Sequence, residues 1–563
     1  MPELPSWAQA LSEKYTSGTV AMFVLHGNVH DLVSQDHVPL GKFLQTTLFG
    51  KRDIILSYDR GGGMSFPDAA MQNDFKSALS GYDAFYQTNF SKSLPRNPDG
   101  VLNILDNYLR LRINDGKSVA VILDYAETIA PAGDVSGMNA EDRNALVILQ
   151  RWAHNPAFLK ADVTIVLVTE NLMDLNPSIV QHPGVAPIAI PLPDVAERRE
   201  SIAAQAKEVP FPEGSDVTHD SLSLLTSGLK RIQLGALIRS AASTKQPLTV
   251  KALGQRKKEL IEAESAGMLE FVQSRWNLGM VAGSGAAKQK LVDAATAIRG
   301  GRTEVLPMGY VICGPVGTGK TFLATCFAGD VGIPAVTLKN FRSMWQGQTE
   351  GNLERVLNLL KAMSPIVVIV DEADAQLGDR DNSGDSGVSN RVFAQIAQFM
   401  GNTEYRGKVL WFLLTCRPDL LPVDLKRQGR AEEHIALFYP ETPDERLAMF
   451  RAMQKKTGTL FTDNTEVESV FLARAGTMSG ADIEAIMVRA KMRAALAGKA
   501  SPEAADLHGA ILDFIPPSYP AEIELQNMVA VLECTSKSLL PARYREMDRG
   551  DIYRRVRELS LSI

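Results

Sequence analysis

The sequence lacks any apolar run that approaches the roughly 18 residues of a membrane-spanning helix. Its first residues, MPELPSWAQA, contain neither the basic nor the apolar segment of a secretory leader. The four cysteines are far apart, lack CxxC spacing and mostly lie in apolar runs, which indicates reduced thiols. We therefore expect a soluble cytoplasmic protein with reduced thiols and no membrane partner.

An excess of charge of either sign is also missing. The chain has 59 Lys and Arg against 65 Asp and Glu, for a net charge of −6. Nucleic-acid-binding proteins usually present basic surfaces, and the sequence contains no recognisable nucleic-acid-binding module. We therefore expect no nucleic-acid partner. At roughly 100–200 residues per domain, the 563 residues, 45% of them hydrophobic, predict three to five globular domains.

A phosphate-binding loop is present in VICGPVGTGKT, residues Val311–Thr321. The apolar run Tyr310–Cys313 predicts a buried strand before the loop, and a helical pattern opens at Lys320, as the motif requires. The glycines allow backbone N–H groups to face the phosphates, Lys320 reaches the β- and γ-phosphates, and the Thr321 hydroxyl ligates magnesium. A Gly-rich turn with an unrelated lysine is the alternative. The predicted nucleotide contacts here are Gly314, Pro315, Val316, Gly317, Thr318, Gly319, Lys320, Thr321 and Phe322.

A pair of acidic residues follows a second buried strand, Ile366–Val370, in SPIVVIVDEAD. Asp371 at the end of the strand is placed to hold magnesium, and Glu372 to polarise an attacking water. Many strands end in acidic turns, so the pair alone is only moderately specific. Because it comes about 50 residues after a GKT loop, it indicates a nucleotide-hydrolysing site.

A third buried strand, Lys408–Leu414, ends at Thr415, where a polar side chain is placed to sense the γ-phosphate. Arg427 and Arg430 follow in LKRQGRAEEHI. The guanidinium group is planar and permanently charged, so arginines suit the charge of a phosphoryl-transfer transition state. A solvated basic turn is the alternative interpretation.

The sequence of the first half of the chain predicts an α/β domain that resembles the second half but lacks its nucleotide-hydrolysing residues. DIILSYD leads into Gly61–Ser65, which we interpret as a failed phosphate loop without lysine or GK[ST]. Asp124 ends an apolar strand, but Tyr125 stands where a catalytic glutamate is expected, and Asn171 resembles a polar sensor. We expect no efficient hydrolysis here, and a structural, regulatory or partner-binding role. The predicted strands are Val20–Leu25, Asp53–Tyr58, Val119–Leu123 and Val163–Thr169.

The ordered motifs GPVGTGKT, VDEAD, TCRPDLL, RQGR and SGADIEAI resemble those of AAA ATPases, in the branch that remodels proteins. The match covers about Gly279 to Gly498. The tandem plan with a degenerate first module is similar to a family of chloroplast and bacterial AAA proteins. The resemblance implies an α/β fold of tandem P-loop AAA modules, each a mainly parallel sheet flanked by helices plus a small helical lid, and a C-terminal helical extension. The predicted domains are 1–200 (degenerate α/β domain), 201–262 (lid and linker), 263–440 (active ATPase domain), 441–500 (lid) and 501–563 (C-terminal helical extension).

The resemblance also implies roles for single residues. Arg427 and Arg430 become arginine fingers that reach the ATP of a neighbouring subunit, which implies a ring, usually a hexamer. The family's sensor asparagine is Cys416 in this chain, and Thr415 is the expected substitute. A thiol is a poor hydrogen-bond donor, so hydrolysis is expected to be slow or differently gated. The implied adenine and ribose contacts are Val281, Ala282, Gly283, Gly480 and Ala481.

The family's pore loop matches Trp345, Gln346 and Gly347, in RSMWQGQTEG. An indole offers a large gripping surface that tolerates many sequences, although a surface Trp packed on its own domain is the alternative. The resemblance thus implies magnesium-dependent ATP hydrolysis in a ring that remodels or unfolds a protein substrate through a central pore. The alternative is a nucleotide-controlled assembly scaffold or adaptor that binds a partner through its inactive first module and does little threading.

Overall fold

The computed structural model describes residues 4–562 apart from 34–36, 216, 266, 301, 340–348, 378–387, 475–477 and 516–518. Contacts divide the chain into two compact units. The first comprises Met1–Ser265 with Glu350–Ala362, and the second comprises Ala266–Thr349 with Met363–Ile563. The predicted pore residues Trp345, Gln346 and Gly347 lie outside the described residues. None of the described helices is long and apolar enough to cross a membrane.

The strands formed by the described residues belong to two six-stranded sheets and one short hairpin. In chain order they are β1 (Met22–Gly27), β2 (Leu32–Val33), β3 (Val38–Pro39), β4 (Ile54–Asp59), β5 (Gly63–Ser65), β6 (Val119–Leu123), β7 (Val163–Val168), β8 (Val185–Ile190), β9 (Leu269–Phe271), β10 (Gly309–Cys313), β11 (Ala335–Leu338), β12 (Ile366–Val370), β13 (Val409–Thr415) and β14 (Glu433–Ala436).

Helices connect the strands and form the lids. In the first part of the chain they are α1 (Ser6–Thr16), α2 (Leu40–Phe43), α3 (Ala69–Tyr86), α4 (Pro98–Asn114), α5 (Ala140–Ala153), α6 (Pro156–Lys160), α7 (Pro177–Val180), α8 (Val195–Glu208), α9 (His219–Leu225), α10 (Arg231–Thr244) and α11 (Val250–Glu264). They continue as α12 (Gly285–Arg299), α13 (Lys320–Val331), α14 (Thr349–Met363), α15 (Ala373–Leu377), α16 (Val388–Met400), α17 (Val423–Lys426), α18 (Pro443–Thr457), α19 (Asn464–Arg474), α20 (Gly480–Leu496), α21 (Ala504–Asp513), α22 (Pro520–Glu533), α23 (Ala542–Arg545) and α24 (Arg549–Ser562).

The two large sheets have the same strand order. The first runs β5-β4-β6-β7-β1-β8 and the second runs β9-β11-β12-β13-β10-β14. In both sheets five neighbouring strands pair in parallel and one antiparallel strand is added at the edge. The predicted tandem α/β architecture is confirmed. Because the order is shared, β1 takes the place in its sheet that β10 takes in the second.

The first sheet is covered on both faces, as its apolar strands require. Successive side chains of a strand point to opposite faces. Accordingly, Val24 packs in one apolar cluster with residues of α4 and α5, whereas Phe23 and Leu25 pack in another with residues of α1 and α2. Helices on both faces leave the carboxyl edge of the sheet as the open edge, where ligands bind in folds of this type.

The interpretation of Gly61–Ser65 as a failed phosphate loop is wrong. Gly61 and Gly62 lie in the turn of a hairpin, because β4 pairs antiparallel with β5, with Asp59 opposite Gly63. A phosphate loop leads from a strand into a helix, whereas this turn leads into another strand. Strand order instead places the equivalent of the phosphate loop at the end of β1, in His26–Asp31.

The lid of the second unit is a helical bundle with its own core. Phe450, Phe471 and Ile486 of α18, α19 and α20 pack together with Leu507 and Ile511 of α21. The lid core thus includes α21, which the predicted boundary at residue 500 assigns to the extension. The remaining C-terminal helices α22 and α24 pack on each other through a smaller apolar cluster formed by Leu525, Val529 and Leu559.

Candidate nucleotide site

The phosphate loop lies where β10 ends and α13 begins. Gly314, Gly317 and Gly319 have φ angles of 140°, 79° and 86°, in the region that L-residues with a side chain avoid. A Cβ atom on Gly317 would lie 2.8 Å from the Cβ atom of Ser479 in the lid. Only glycine therefore allows the loop to turn and the lid to approach it this closely.

Charged and hydroxyl groups meet at this loop. The Lys320 ammonium group donates to the carbonyl oxygens of Gly314 at 2.8 Å and Pro315 at 3.0 Å. The hydroxyl of Thr321 donates to Oδ2 of Asp371 at 2.8 Å. Parallel pairing of β10 with β13 and of β13 with β12 brings the ends of these strands to one edge. The predicted lysine, threonine and aspartate are thereby brought together.

Glu372 follows Asp371 in a left-handed conformation, with φ 47°. Its backbone N–H donates to Asp371 Oδ1 at 3.0 Å. A non-glycine residue in this conformation costs about 1–3 kcal/mol and persists only where its surroundings hold it, which is frequent at active sites. The turn directs the chain away from the strand immediately after the aspartate, and both acidic residues line the cleft described below.

Thr415 and Cys416 stand at the end of β13 and have different surroundings. The Thr415 side chain is buried, and its hydroxyl donates to Oδ1 of Asp374 at 2.7 Å. The hydroxyl oxygen of Thr415 also accepts a hydrogen bond from the backbone N–H of Arg417 at 2.8 Å. Cys416 is half-buried and accepts a hydrogen bond from the Lys320 ammonium group at 3.1 Å. In this arrangement the side chain beside the phosphate-binding lysine is the cysteine, and the threonine hydroxyl is engaged by Asp374.

A cleft of about 570 Å³ opens over the loop. Of the predicted contacts, Val316 to Phe322, Val281, Ala282, Gly480 and Ala481 line it, together with Asp371, Glu372, Thr415 and Cys416. Gly283, Gly314 and Pro315 are not among the lining residues. The lid also contributes Met449, Met453, Lys456 and Glu484, which the sequence motifs did not single out. The size suits a nucleotide, since ligand pockets usually measure about 300–1,000 Å³.

Arg427 and Arg430 do not line this cleft. The Arg430 guanidinium group donates to the carbonyl oxygen of Asp424 at 2.7 Å, and both arginines lie within 3.8 Å of the Asp424 carboxylate. Burial and the neighbouring charge of Arg427 lower the pKa of Arg430 from its usual value. The two cations are therefore gathered on one segment of the chain, outside the subunit's own cleft.

The equivalent position in the first unit, at the end of β1, contains a carboxylate. Asp31 is 2% exposed and accepts the backbone N–H groups of Arg231 and Ile232, each at 2.9 Å. The amide of Asn28 donates to the same carboxylate at 3.0 Å. Arg231 begins α10, so the carboxylate binds a helix N-terminus, where an anion is stabilised. In the second unit, α20 begins beside the phosphate loop with Gly480 and Ala481 facing the cleft.

The rest of this edge retains the aspartate and the backbone turn of the second unit's acidic pair, but a tyrosine replaces the glutamate. Tyr125 has φ 50°, close to the value at Glu372, and its ring stacks on His30 with centroids 5.4 Å apart. Burial raises the pKa of Asp124 above its ordinary value. Among the described residues, no group of three or more His, Cys, Asp or Glu side chains is arranged to hold a metal ion.

Family models match three consecutive parts of the chain. Residues 1–191 match the AAA+ chaperone N-terminal Rossmann-like domain, and 196–266 match the AAA+ chaperone second helical domain. Residues 310–439 match the ATPase family associated with various cellular activities. The chain belongs to the AAA-type ATPases. Its tandem architecture agrees with the two sheets, and the third match contains the phosphate loop, the acidic pair and both arginines.

Curated relatives include a cell division cycle protein 48 homolog of Archaeoglobus fulgidus, 27% identical over 66% of this chain and 54% of that protein. Protein SAV of Sulfolobus acidocaldarius is 26% identical over 66% of this chain and 51% of its own length. The peroxisomal ATPase PEX6 of Dictyostelium discoideum is 25% identical over 57% of this chain and 29% of its own length. The chain thus spans about half the length, or less, of these relatives.

Proposed function

We propose that this AAA ATPase hydrolyses ATP at the cleft of its second unit and at no other site. The observation that carries the proposal is the meeting of Lys320, Thr321, Asp371 and Glu372 around a glycine-rich helix N-terminus. Backbone N–H groups of the loop and the Lys320 ammonium group would neutralise the phosphates, and Glu372 would polarise the attacking water. In the first unit the corresponding position is filled by the Asp31 carboxylate.

We include magnesium in the proposal because Thr321 and Asp371 fit it. Their side-chain oxygens are 2.8 Å apart, and hard cations of this kind prefer hydroxyl and carboxylate oxygens. Bound there, the ion would offset the negative charge that develops on the phosphates of ATP. The hydroxyl of Thr321 and the carboxylate of Asp371 would hold it at the mouth of the loop.

We further propose a ring, usually a hexamer in this family, in which Arg427 and Arg430 serve a neighbouring subunit. Their placement outside the subunit's own cleft supports this role. The ring would remodel a protein substrate gripped by Trp345, Gln346 and Gly347. The four cysteines form no disulfide, which suits the reducing cytoplasm.

The second candidate function is a nucleotide-controlled scaffold. Asp31 favours it, because a first module closed to nucleotide is available for binding a partner.

Two substitutions test hydrolysis. Lys320→Ala should abolish ATP binding and turnover, whereas Lys339→Ala, at an exposed lysine paired with Glu270, should change neither. Glu372→Gln should bind ATP normally and turn over about 10²–10⁴-fold more slowly, the usual contribution of a general base. Phosphate release and nucleotide binding are the measurements, with size-exclusion chromatography in ATP to detect rings. Unchanged turnover in Glu372→Gln would refute its assigned role.

A further inference from the structure

Helix α22 of the C-terminal extension contacts the phosphate loop directly. The side-chain oxygen of Gln526 accepts the backbone N–H of Val316 at 3.0 Å. The carbonyl oxygen of Val316 in turn accepts a hydrogen bond from the hydroxyl of Tyr439 at 2.6 Å. Val316 stands between the positive-φ residues Gly314 and Gly317, where the chain has few local restraints. Side chains remote in sequence therefore fix this flank of the loop.

The same helix holds the arginine segment, which we define as residues Lys426–His434. Glu533, the last residue of α22, pairs through Oε2 with the Lys426 ammonium group at 2.9 Å. Its Oε1 lies 3.0 Å from Nδ1 of His434. Lys426 and His434 are the first and last residues of the segment, and Arg427 and Arg430 lie between them. One carboxylate thus anchors both ends of the segment that carries the two arginines.

The charge of the Glu533 carboxylate is matched by the positive charges of Lys426 and His434. Nδ1 of His434 lies 3.0 Å from the Glu533 carbonyl oxygen as well, and Nε2 lies 2.9 Å from the carbonyl oxygen of Ala431. Only the doubly protonated ring donates from both nitrogens. Burial opposes the charge on His434, but the hydrogen bond and charge of Glu533 outweigh it and raise the pKa of the histidine. Burial likewise opposes ionisation of Glu533, but His434 and Lys426 outweigh it and lower the carboxyl pKa.

Gln526 and Glu533 are two helical turns apart, a rise of roughly 10 Å, and so face the same side of α22. We propose that α22 is a positioning element that links the phosphate loop of a subunit to the arginine segment of that subunit. Gln526 responds to the conformation of the loop, and Glu533 fixes the arginines that the subunit offers to its neighbour. The inference rests on the proposed function, since the action of the arginines on a neighbour belongs to it.

Kinetics of variants on α22 separate positioning from nucleotide binding. Glu533→Gln keeps the size of the side chain but removes its charge, and should lower kcat about 10-fold or more while the ATP dissociation constant stays within about twofold. Gln526→Ala should weaken ATP binding about 2–10-fold, and Gln526→Glu, which keeps an acceptor for Val316, should restore it. Glu522→Gln, at an exposed position of the same helix, is the matched control. Normal kcat in Glu533→Gln would overturn the inference.

Hydrogen exchange provides a test that does not need hydrolysis. A slowly hydrolysed ATP analogue should reduce exchange in the phosphate loop and in the arginine segment of the wild-type protein. In Gln526→Ala the response of the loop should persist and that of the arginine segment should disappear. If the loop responds in the wild type but the arginine segment does not, the inference fails and the nucleotide site stands. If neither responds, and Lys320→Ala behaves as the wild type, both proposals fail together.

Discussion

The Lys320 ammonium group donates a hydrogen bond to the sulfur of Cys416, 3.1 Å away. By the resemblance to AAA ATPases, Cys416 stands at the position of the family's sensor asparagine. The amide of that asparagine orients the γ-phosphate or the attacking water. In the structure the Thr415 hydroxyl, the expected substitute, donates to Asp374. A thiol donates only weakly, so under the proposed function Cys416 would offer the developing charge a weaker donor than an asparagine amide.

We therefore expect Cys416→Asn to raise kcat for ATP about 2–10-fold, the worth of one hydrogen bond of about 0.5–1.5 kcal/mol. Steady-state phosphate release with saturating ATP is the measurement. Cys416→Ser, which restores a better donor of smaller reach, should give an intermediate rate. A rate in Cys416→Asn equal to or below that of the wild type would show that the cysteine does not limit hydrolysis.

The Asp31 carboxylate leads to a prediction about the first unit. Because it binds the N–H groups of Arg231 and Ile232, these donors are unavailable to a phosphate. We expect ATP to leave hydrogen exchange of residues 26–31 unchanged while it slows exchange of residues 314–321. Asp31→Asn, which removes the charge at the helix N-terminus, should speed exchange of the Arg231 and Ile232 amides about 10–150-fold, as expected from 1.5–3 kcal/mol for bonds to a charged group.

A gain-of-function variant provides the control for that prediction. Tyr125→Glu supplies the acidic side chain at a backbone position with nearly the same φ as Glu372. Combined with Lys320→Ala, which silences the second unit, it should still show no ATP turnover, because Asp31 closes the site. Measurable turnover in this double variant would mean that nucleotide enters the first unit, and would contradict the role given to Asp31.

The sequence predicts the strands of the second unit closely. The predicted strand Ile366–Val370 is observed, and the predicted strands Tyr310–Cys313 and Lys408–Leu414 agree with β10 and β13 within one residue at each end. These strands are buried along their whole length, so their apolar runs are continuous and easily recognised. The strand β8 escaped prediction because Pro187 interrupts its pattern. It is an edge strand, where a proline costs no ladder hydrogen bond on its open side.

Strand order and remote contacts are what the sequence does not reveal. The end of β1 corresponds to the phosphate loop only because β1 lies between β7 and β8, and nothing in His26–Asp31 resembles the motif. Gln526 lies 210 residues from Val316, and no local pattern marks either residue as the other's partner. Motifs thus identify the residues that contact a nucleotide, whereas the side chains that position them appear only in the folded chain.

The buried Lys257 in α11 predicts a pH dependence of stability. It is 8% exposed, and burial, assisted by the charge of Arg198, lowers its pKa to about 8. The unfolded chain binds the proton of Lys257 more tightly than the folded chain does. The loss of folding stability caused by the buried charge is therefore complete below about pH 8, and it decreases as the pH rises toward 10.5, the ordinary pKa of a lysine. The shift corresponds to roughly 3 kcal/mol, less the contribution of the hydrogen bond from Lys257 to Ser227.

Lys257→Met should therefore stabilise α11 near pH 7, and its advantage should shrink as the pH approaches 10.5. Hydrogen exchange of α11 amides measures this, with variant and wild type compared at the same pH so that intrinsic exchange rates cancel. Lys258→Met is the matched control, since Lys258 is only partly buried and pairs with Glu262. An equal gain in both variants, or a gain that does not vary with pH, would assign the effect to apolar packing instead of charge burial.

Trp345 separates the two proposed functions. If the ring grips a polypeptide, Trp345→Ala should retain most of the ATP turnover yet lose the unfolding of a fluorescent protein that carries an unstructured tail. Trp345→Phe, which keeps an aromatic surface for gripping, should retain much of both activities. Loss of fluorescence over time in the presence of ATP is the measurement, with Glu372→Gln as the hydrolysis-deficient reference. Equal unfolding by the wild type and Trp345→Ala would exclude gripping by this residue. Absence of unfolding in the wild type and in both Trp345 variants would favour the scaffold, in which nucleotide controls assembly alone.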